Sequence, residues 1–317
     1  MADETAMGEQ RLAFGLQLPV QAQSPRFAQP WESGAGLDEL VAVARACDDA
    51  GFAYVAVCDH VAIPEDLVEA MGAEWWDTVA TLAYLAAVTR RVRLVSHVHV
   101  LSYRHPLAVA KAWATLDVLS GGRAVLGVGA GHVAGEFAAL GVPFERRGAL
   151  LDEAIDAVRA ALGPTPASFE GPTWTFRGVH QQPRPVQERL PIWVGGSSPA
   201  AIRRAAERGD GWLPQGPPPE GMAAAIDRLR ALRAASPLAD VPLTIGALSG
   251  PIHVGTPTGD LGRCMSGPPE RLAGYLRSFR DLGCHQVQVA FASRSARELC
   301  DQIGAFAAEV VPLVHTD

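Results

Sequence analysis

Lysine is nearly absent. Of the 27 basic residues in the 317-residue chain, one is lysine (Lys111) and the other 26 are arginine. Schiff-base catalysis needs a desolvated lysine amine, and a P-loop needs one inside its glycine frame. Lys111 lies in an AVAKAW stretch that reads as an outer helix, so neither chemistry has its residue. The arginine bias reads as genomic background. Cysteine is sparse: Cys47, Cys58, Cys264, Cys284 and Cys300 form no CxxC pair, which excludes a zinc knuckle or disulfide framework and implies a reducing compartment. Cys58 precedes Asp59 and could be a nucleophile; a buried small hydrophobe is the plainer reading. Positive charge is not in excess. With 34 acidic residues the net charge is −7, which argues against a nucleic-acid or anionic-membrane surface. Long apolar runs are missing too. The longest, residues 79–88, contains Thr81 and is too short to span a bilayer. The first ten residues, MADETAMGEQ, carry no basic n-region or apolar h-region. A cytoplasmic protein is expected.

What is present is an alternation of two periods. Short β-branched runs end at Gly, Pro, Asp or His, and each is followed by an Ala/Leu/Arg segment at helical spacing. Strands are expected over 11–18, 52–58, 91–101, 123–129, 191–194, 211–214, within 241–254, and over 285–291. Helices are expected over 37–50, 75–90, 106–119, 146–162, 199–208, 221–235, 269–282 and 296–311. A proline-rich stretch, 163–191, interrupts the pattern around FEGPTWTFRG and reads as an excursion hairpin. Eight strand–helix units in strict alternation predict an α/β fold, a (β/α)8 TIM barrel with an insertion before strand five. The chain, 1–317, reads as one such domain. A doubly wound open sheet is the runner-up. However, no GxGxxG follows the first strand and no acid stands at the ribose position.

In such a barrel the reactive groups lie at the C-terminal strand ends. In order these are Gln17, Asp59 with His60, Ser96 with His97 and His99, Gly129-Ala130-Gly131-His132, Gly195-Gly196-Ser197-Ser198, Gln215 and His253. This histidine- and glycine-rich rim suits an anionic planar ligand better than a metal. The GGSSP segment can approach a phosphate through its glycines, and Pro199 opens a helix whose free N–H groups attract anions. It can equally be an ordinary strand-to-helix turn. The GVGAG run, 127–131, either admits a ligand or allows tight packing. Asp59-His60 after a buried strand is a candidate proton-transfer pair, with Asp59 orienting the ring. The alternative is a capping Asp beside an incidental His. His97-Val98-His99 invites a zinc reading, since alternation points both rings to one face. The later strand ends PIWVGG and GWLPQ supply no further ligand, so no metal is expected.

These residues resemble the luciferase-like monooxygenase superfamily, and within it the coenzyme F420-dependent oxidoreductases. The likeness is carried by FGLQLP (14–19), the Asp59-His60 pair, the long block 103–131 (YRHPLAVAKAWATLDVLSGGRAVLGVGAG), 135–155 and 191–214, and it is weaker beyond. It implies a barrel whose mouth holds an isoalloxazine-like ring against a bulge after strand three, matched by Ser96, His97 and Val98, often with a non-prolyl cis peptide. The cofactor's phosphate would lie on the turns matched by Gly129, Ala130 and Gly131 and by Gly195, Gly196 and Ser197. Gln17, Asp59 and His60 complete the implied cofactor set. The sugar-phosphate dehydrogenase branch has an acid after the GxG turn and a tryptophan shortly after its Asp-His pair. This chain has His132 at the first position and Val61-Ala62-Ile63-Pro64 after the pair.

The resemblance implies hydride transfer between coenzyme F420 and a small organic substrate, with His60 moving the proton, Asp59 assisting and His132 as a second candidate. Trp75 and Trp76 could wall the substrate, although helix-start aromatics are more often core. With no lysine for a substrate phosphate, an uncharged substrate is expected, shaped by the insertion and the loop after strand seven. FMN-dependent oxygenation on the same fold is the alternative, followed by a non-catalytic flavin-binding barrel. The family often forms homodimers, so a second copy is the expected partner.

Overall fold

In the computed structural model the structure describes residues 11–25, 27–214 and 219–316. Eight parallel strands close on themselves: β1 (Ala13–Gln17), β2 (Tyr54–Val57), β3 (Arg93–Ser96), β4 (Ala124–Gly129), β5 (Ile192–Gly195), β6 (Gly211–Leu213), β7 (Thr244–Val254) and β8 (Gln286–Phe291). Each pairs with its neighbour in chain order, and β8 pairs with β1. Parallel pairing requires crossovers, and helices supply them. These are α1 (Leu37–Asp49), α2 (Thr78–Val88), α3 (Pro106–Ser120), α4 (Arg147–Leu162), α5 (Pro199–Arg208), α6 (Pro219–Ala234), α7 (Pro269–Asp281) and α8 (Ala296–Ala305). The expected TIM barrel is what the chain forms.

The differences from expectation have local causes. Helix α2 begins at Thr78 rather than 75 because the Asp77 side chain accepts from the Ala80 N–H at 2.8 Å and caps the helix there. Trp75 is thereby released from the helix. The last helix was expected to run unbroken to 311. Instead it widens into one π turn, Phe306–Val310, and restarts as Val311–His315. Pro312 has no N–H to give to a preceding turn, and the widened segment takes up the mismatch. The third strand ends at Ser96, and a bulge with a cis His97–Val98 peptide separates it from a short pairing of His99–Val100 with β4.

The excursion is an antiparallel hairpin, Ala167–Glu170 with Thr175–Val179. The insertion docks on the outer helices α3 and α4. Glu153 on α4 accepts from the Thr173 and Trp174 N–H groups, Asp117 on α3 accepts from Val186 and Gln187, and Gln181 donates to Leu107 O. Lys111 donates to the Gln182 carbonyl.

Most of the core lies between strands and helices. A second cluster, Tyr54, Ala56, Val95, Val125, Trp193 and Leu213, fills the barrel itself, with Trp193 edge-on to Tyr54 at 5.5 Å. Among the described residues no helix is long and apolar enough to cross a membrane.

Candidate functional site

Asp59 and His60 leave the end of β2 in opposite senses. The Asp59 side chain is 2% exposed and accepts from both terminal nitrogens of Arg104 (2.7 and 2.8 Å), from the Val100 N–H (2.8 Å) and from the Thr78 hydroxyl (3.2 Å). His99 Nδ1 lies 3.5 Å away. Burial works to raise the Asp59 carboxyl, but His99, Arg104 and the Val100 N–H outweigh it and hold it below the usual range. An ionised carboxylate with both oxygens engaged is an anchor for the α2 and α3 starts. It does not orient His60, which corrects the expectation drawn from the dipeptide.

The partner of His60 is Glu136. His60 Nδ1 stands 2.8 Å from Glu136 Oε2, which also accepts from the Tyr103 hydroxyl at 2.9 Å. Oε1 accepts from the N–H groups of Val61 (2.5 Å) and Ala62 (3.2 Å). The Glu136 side chain is fully buried. Burial alone would raise its carboxyl; the bonds from His60, Val61 and Tyr103 bring it below the usual value. The Tyr103 hydroxyl is pushed up by burial and by the carboxylate it serves. Because a carboxylate only accepts, the neutral His60 ring carries its proton on Nδ1 and its lone pair on Nε2. Trp75 lies edge-on to the ring at 4.4 Å and the exposed His132 at 5.6 Å. The released Trp75 therefore packs against His60 rather than into the helical core.

Glu136 was not legible as a site residue. It sits on a six-residue helix, Ala134–Ala139, too short to show periodicity. The available signal was an acid in an apolar GEFAAL stretch soon after a glycine turn, where a buried Glu needs partners.

The bulge after β3 is a shelf. Half-buried Val98 projects between the ends of β4 and β5: a Cβ on Gly129 would lie 2.4 Å from one Val98 methyl, and one on Gly195 2.5 Å from the other. These glycines make room for Val98. Gly131 has φ +77°, and a Cβ there would strike Phe137 at 2.7 Å; half-buried Ala130 packs on the core. The Ser96 hydroxyl is committed to Gly127 O at 2.7 Å. The two histidines part across the bulge. His97 Nε2 meets Leu213 O at 3.3 Å inside the barrel, whereas His99 packs on Trp113 of α3. Alternation fails here because the bulge adds a residue to the pleat. Burial pushes both rings down to about 4, so both are neutral. Among the described residues no group of three His, Cys, Asp or Glu could hold a metal.

At the β1 end, Gln17 donates to Cys58 Sγ at 3.2 Å, and Gln21 brackets the same cysteine. Burial raises that thiol to about 11, which leaves it protonated and unreactive. His253, expected on the rim, is buried in the wall against Ala292 O and Gln302. Gln215 lies outside the described residues. At β5, Gly196 has φ +89°, exposed Ser197 follows, and Ser198 caps α5 by accepting from Ala201 N–H at 3.2 Å. This turn retains the features of an anion site.

The mouth thus combines the half-buried Val98 of the bulge, the N-terminus of α5 and a carboxylate-held histidine. The luciferase-like monooxygenase family model matches residues 14–260, and the chain belongs to that family. It is 35% identical over 218 residues to a Mycobacterium tuberculosis protein provisionally assigned as a coenzyme F420-dependent oxidoreductase, covering 65% of this chain and 56% of that one. The monooxygenase RslO1 of Streptomyces bottropensis shares the fold (TM-score 0.79, 24% identity, 95% of this chain and 99% of that one). So does an F420-dependent secondary alcohol dehydrogenase solved with an F420-acetone adduct (TM-score 0.77, 17% identity, 96% and 100%).

Proposed function

We propose that the protein transfers hydride between coenzyme F420 and a small uncharged organic substrate, with His60 exchanging the accompanying proton. The observation that carries this reading is the His60–Glu136 pair beside the Val98 shelf. Nδ1 is tied to a buried carboxylate, so Nε2 takes a proton from a substrate hydroxyl or returns it, and Glu136 stabilises the cation formed in between. Val98 would carry the deazaflavin ring, and that group would supply the two-electron hydride chemistry. The β5–α5 turn of Gly196 and Ser197 fits its phosphate. Trp75 bounds the substrate, and His132 is placed for a second proton contact. Arg104 is spent on Asp59 and Lys111 on the insertion, which favours a substrate without a phosphate. The family match and the 35%-identical relative support the cofactor class.

The test is a binding titration. Saturable F420 binding with no FMN binding, followed by cofactor reduction on a panel of small alcohols, is the expected result. A protein that binds reduced FMN and consumes oxygen would instead be the FMN-dependent monooxygenase. Binding without turnover of any kind would make it a carrier barrel.

A further inference from the structure

The chain turns back on itself soon after β1. Val20 has φ +72°, the one positive value outside glycine among the described residues, and the Gln21 N–H donates to Pro19 O at 2.8 Å. That bond across a left-handed centre makes a γ-turn of the rare, strained kind, and a β-branched side chain adds to the strain. Val20 is fully buried in the core. A buried carboxylate stands against the turn. Glu32 Oε2 accepts from the Val20 N–H at 2.9 Å and Oε1 from the Gln29 N–H at 2.8 Å, and the residue is 4% exposed. Capping the short helix Pro30–Gly34 uses only the second of these bonds. The first reaches the strained residue twelve positions earlier. A charge-assisted bond of this kind is comparable in strength to the cost of such a conformation.

Beyond the turn the chain runs to the site. Gln21 O accepts from the Trp76 N–H at 2.9 Å, the Gln23 N–H donates to Glu74 O at 3.0 Å, and Ala22 bridges Trp75 in the antiparallel sense. The Gln21 side chain accepts from the Cys58 N–H at 3.2 Å, two residues before His60. Trp75, held in this ladder, lies 4.4 Å from the His60 ring. We propose that Glu32 is a positioning residue for the His60 site. Its carboxylate holds the turn at Val20, the turn sets the line of Gln21, Ala22 and Gln23, and that line carries Trp75 to the imidazole. The consequence for substrate binding rests on the F420 reading above; the placement of Trp75 does not.

Glu32→Gln, with and without Val20→Gly, tests this. Glutamine offers one acceptor to two N–H groups, so the turn loses its clamp. Glycine takes positive φ at little cost, so the turn no longer needs one. The readout is the His60 ring signal, displaced by the ring current of Trp75, in proton–nitrogen-15 spectra of histidine-labelled protein. In Glu32→Gln it should move toward its position in Trp75→Leu. It should return in the double variant and stay in place in Val20→Gly alone. On an alcohol that turns over with F420, kcat/KM should fall about tenfold through KM in Glu32→Gln and recover with Val20→Gly. An unmoved signal in Glu32→Gln overturns the proposal. So does a moved signal that Val20→Gly does not restore, since the carboxylate would then act by capping at Gln29. If Glu32→Gln does not fold, Glu32→Asp, too short to span both N–H groups, is read in the same way. Should neither fold, Val20→Gly must restore folding, and its failure to do so overturns the proposal as well. Wild-type protein without F420 turnover removes the cofactor reading, while the His60 signal still decides the role of Glu32.

Discussion

Glu136→Gln is the substitution with the most to say about the site. Glutamine keeps the shape of the side chain and one of its two oxygens. The Val61 and Ala62 N–H groups, at 2.5 and 3.2 Å from Oε1, can only donate and will claim that oxygen. The amide NH2 then faces His60 Nδ1 and the Tyr103 hydroxyl, where Oε2 now accepts from both. A donor opposite Nδ1 drives the ring proton to Nε2, so the base loses its lone pair. An equivalent carboxylate-to-amide change in a serine-protease triad leaves the geometry intact and costs about 10⁴ in turnover through the wrong tautomer. His60 is partly open to solvent, with its side chain 9% exposed, which allows some correction of the tautomer. The expected loss in kcat/KM is about 10²–10⁴, or ~3–5 kcal/mol of transition-state stabilisation. The rate is read from loss or gain of the F420 visible band on an alcohol that turns over, and the tautomer from ring nitrogen-15 shifts. Glu136 titrates below its unfolded value, so it adds stability above pH ~4.5 and loses it as pH falls through the folded value. The variant should therefore have a shallower acid limb in denaturation. Retention of the Nδ1 proton together with kcat/KM within about threefold of wild type would refute the reasoning.

Arg104→Leu leaves Asp59 buried beside His99 and Thr78 without its cation, and should destabilise by about 3–5 kcal/mol in urea titration; Asp59→Asn in the same background should recover part of that loss. Gly195→Ala puts a methyl 2.5 Å from Val98, an overpacking worth about 1–3 kcal/mol, and should weaken F420 binding in a fluorescence titration while leaving the His60 ring shifts in place. His97 and His99, both lowered to about 4 by burial, charge more readily when unfolded. Stability should then be intact above pH 6.5 and fall as pH drops toward 4, a slope that His99→Gln should reduce in chemical denaturation at stepped pH.

The barrel was legible because its signal is long-range and redundant: eight repeats of the same two periods outvote any local ambiguity. The site was legible only where chemistry and strand ends coincide, as at His60. Its partner was not, because Glu136 lies 76 residues away on a single short helix and pairing across that distance leaves no periodic trace. His97 and His99 were assigned to one face because a pleat was assumed through a bulge that only the resemblance suggested. The glycines at 129 and 195 illustrate a different limit. Residue type showed that a side chain was unwelcome there, but the occupant of the space, Val98, comes from another strand. Asp59 was credited with orienting its neighbour because adjacency in sequence was taken for adjacency of side chains. Consecutive residues leaving a strand point apart, one under the helices and one into the mouth.

The solitary lysine has a practical corollary. Its amine sits on the outer face of α3 and holds the carbonyl of Gln182, where the insertion returns toward the barrel. An amine-directed probe therefore has one side chain to find in the whole sequence, at the seam between barrel and hairpin. The rate at which Lys111 is acylated becomes a clock for the undocking of that hairpin. Because the seam joins α3 to the hairpin and shares no residue with the His60–Glu136 pair, acylation of Lys111 can be followed in the same sample in which the proposed activity is assayed.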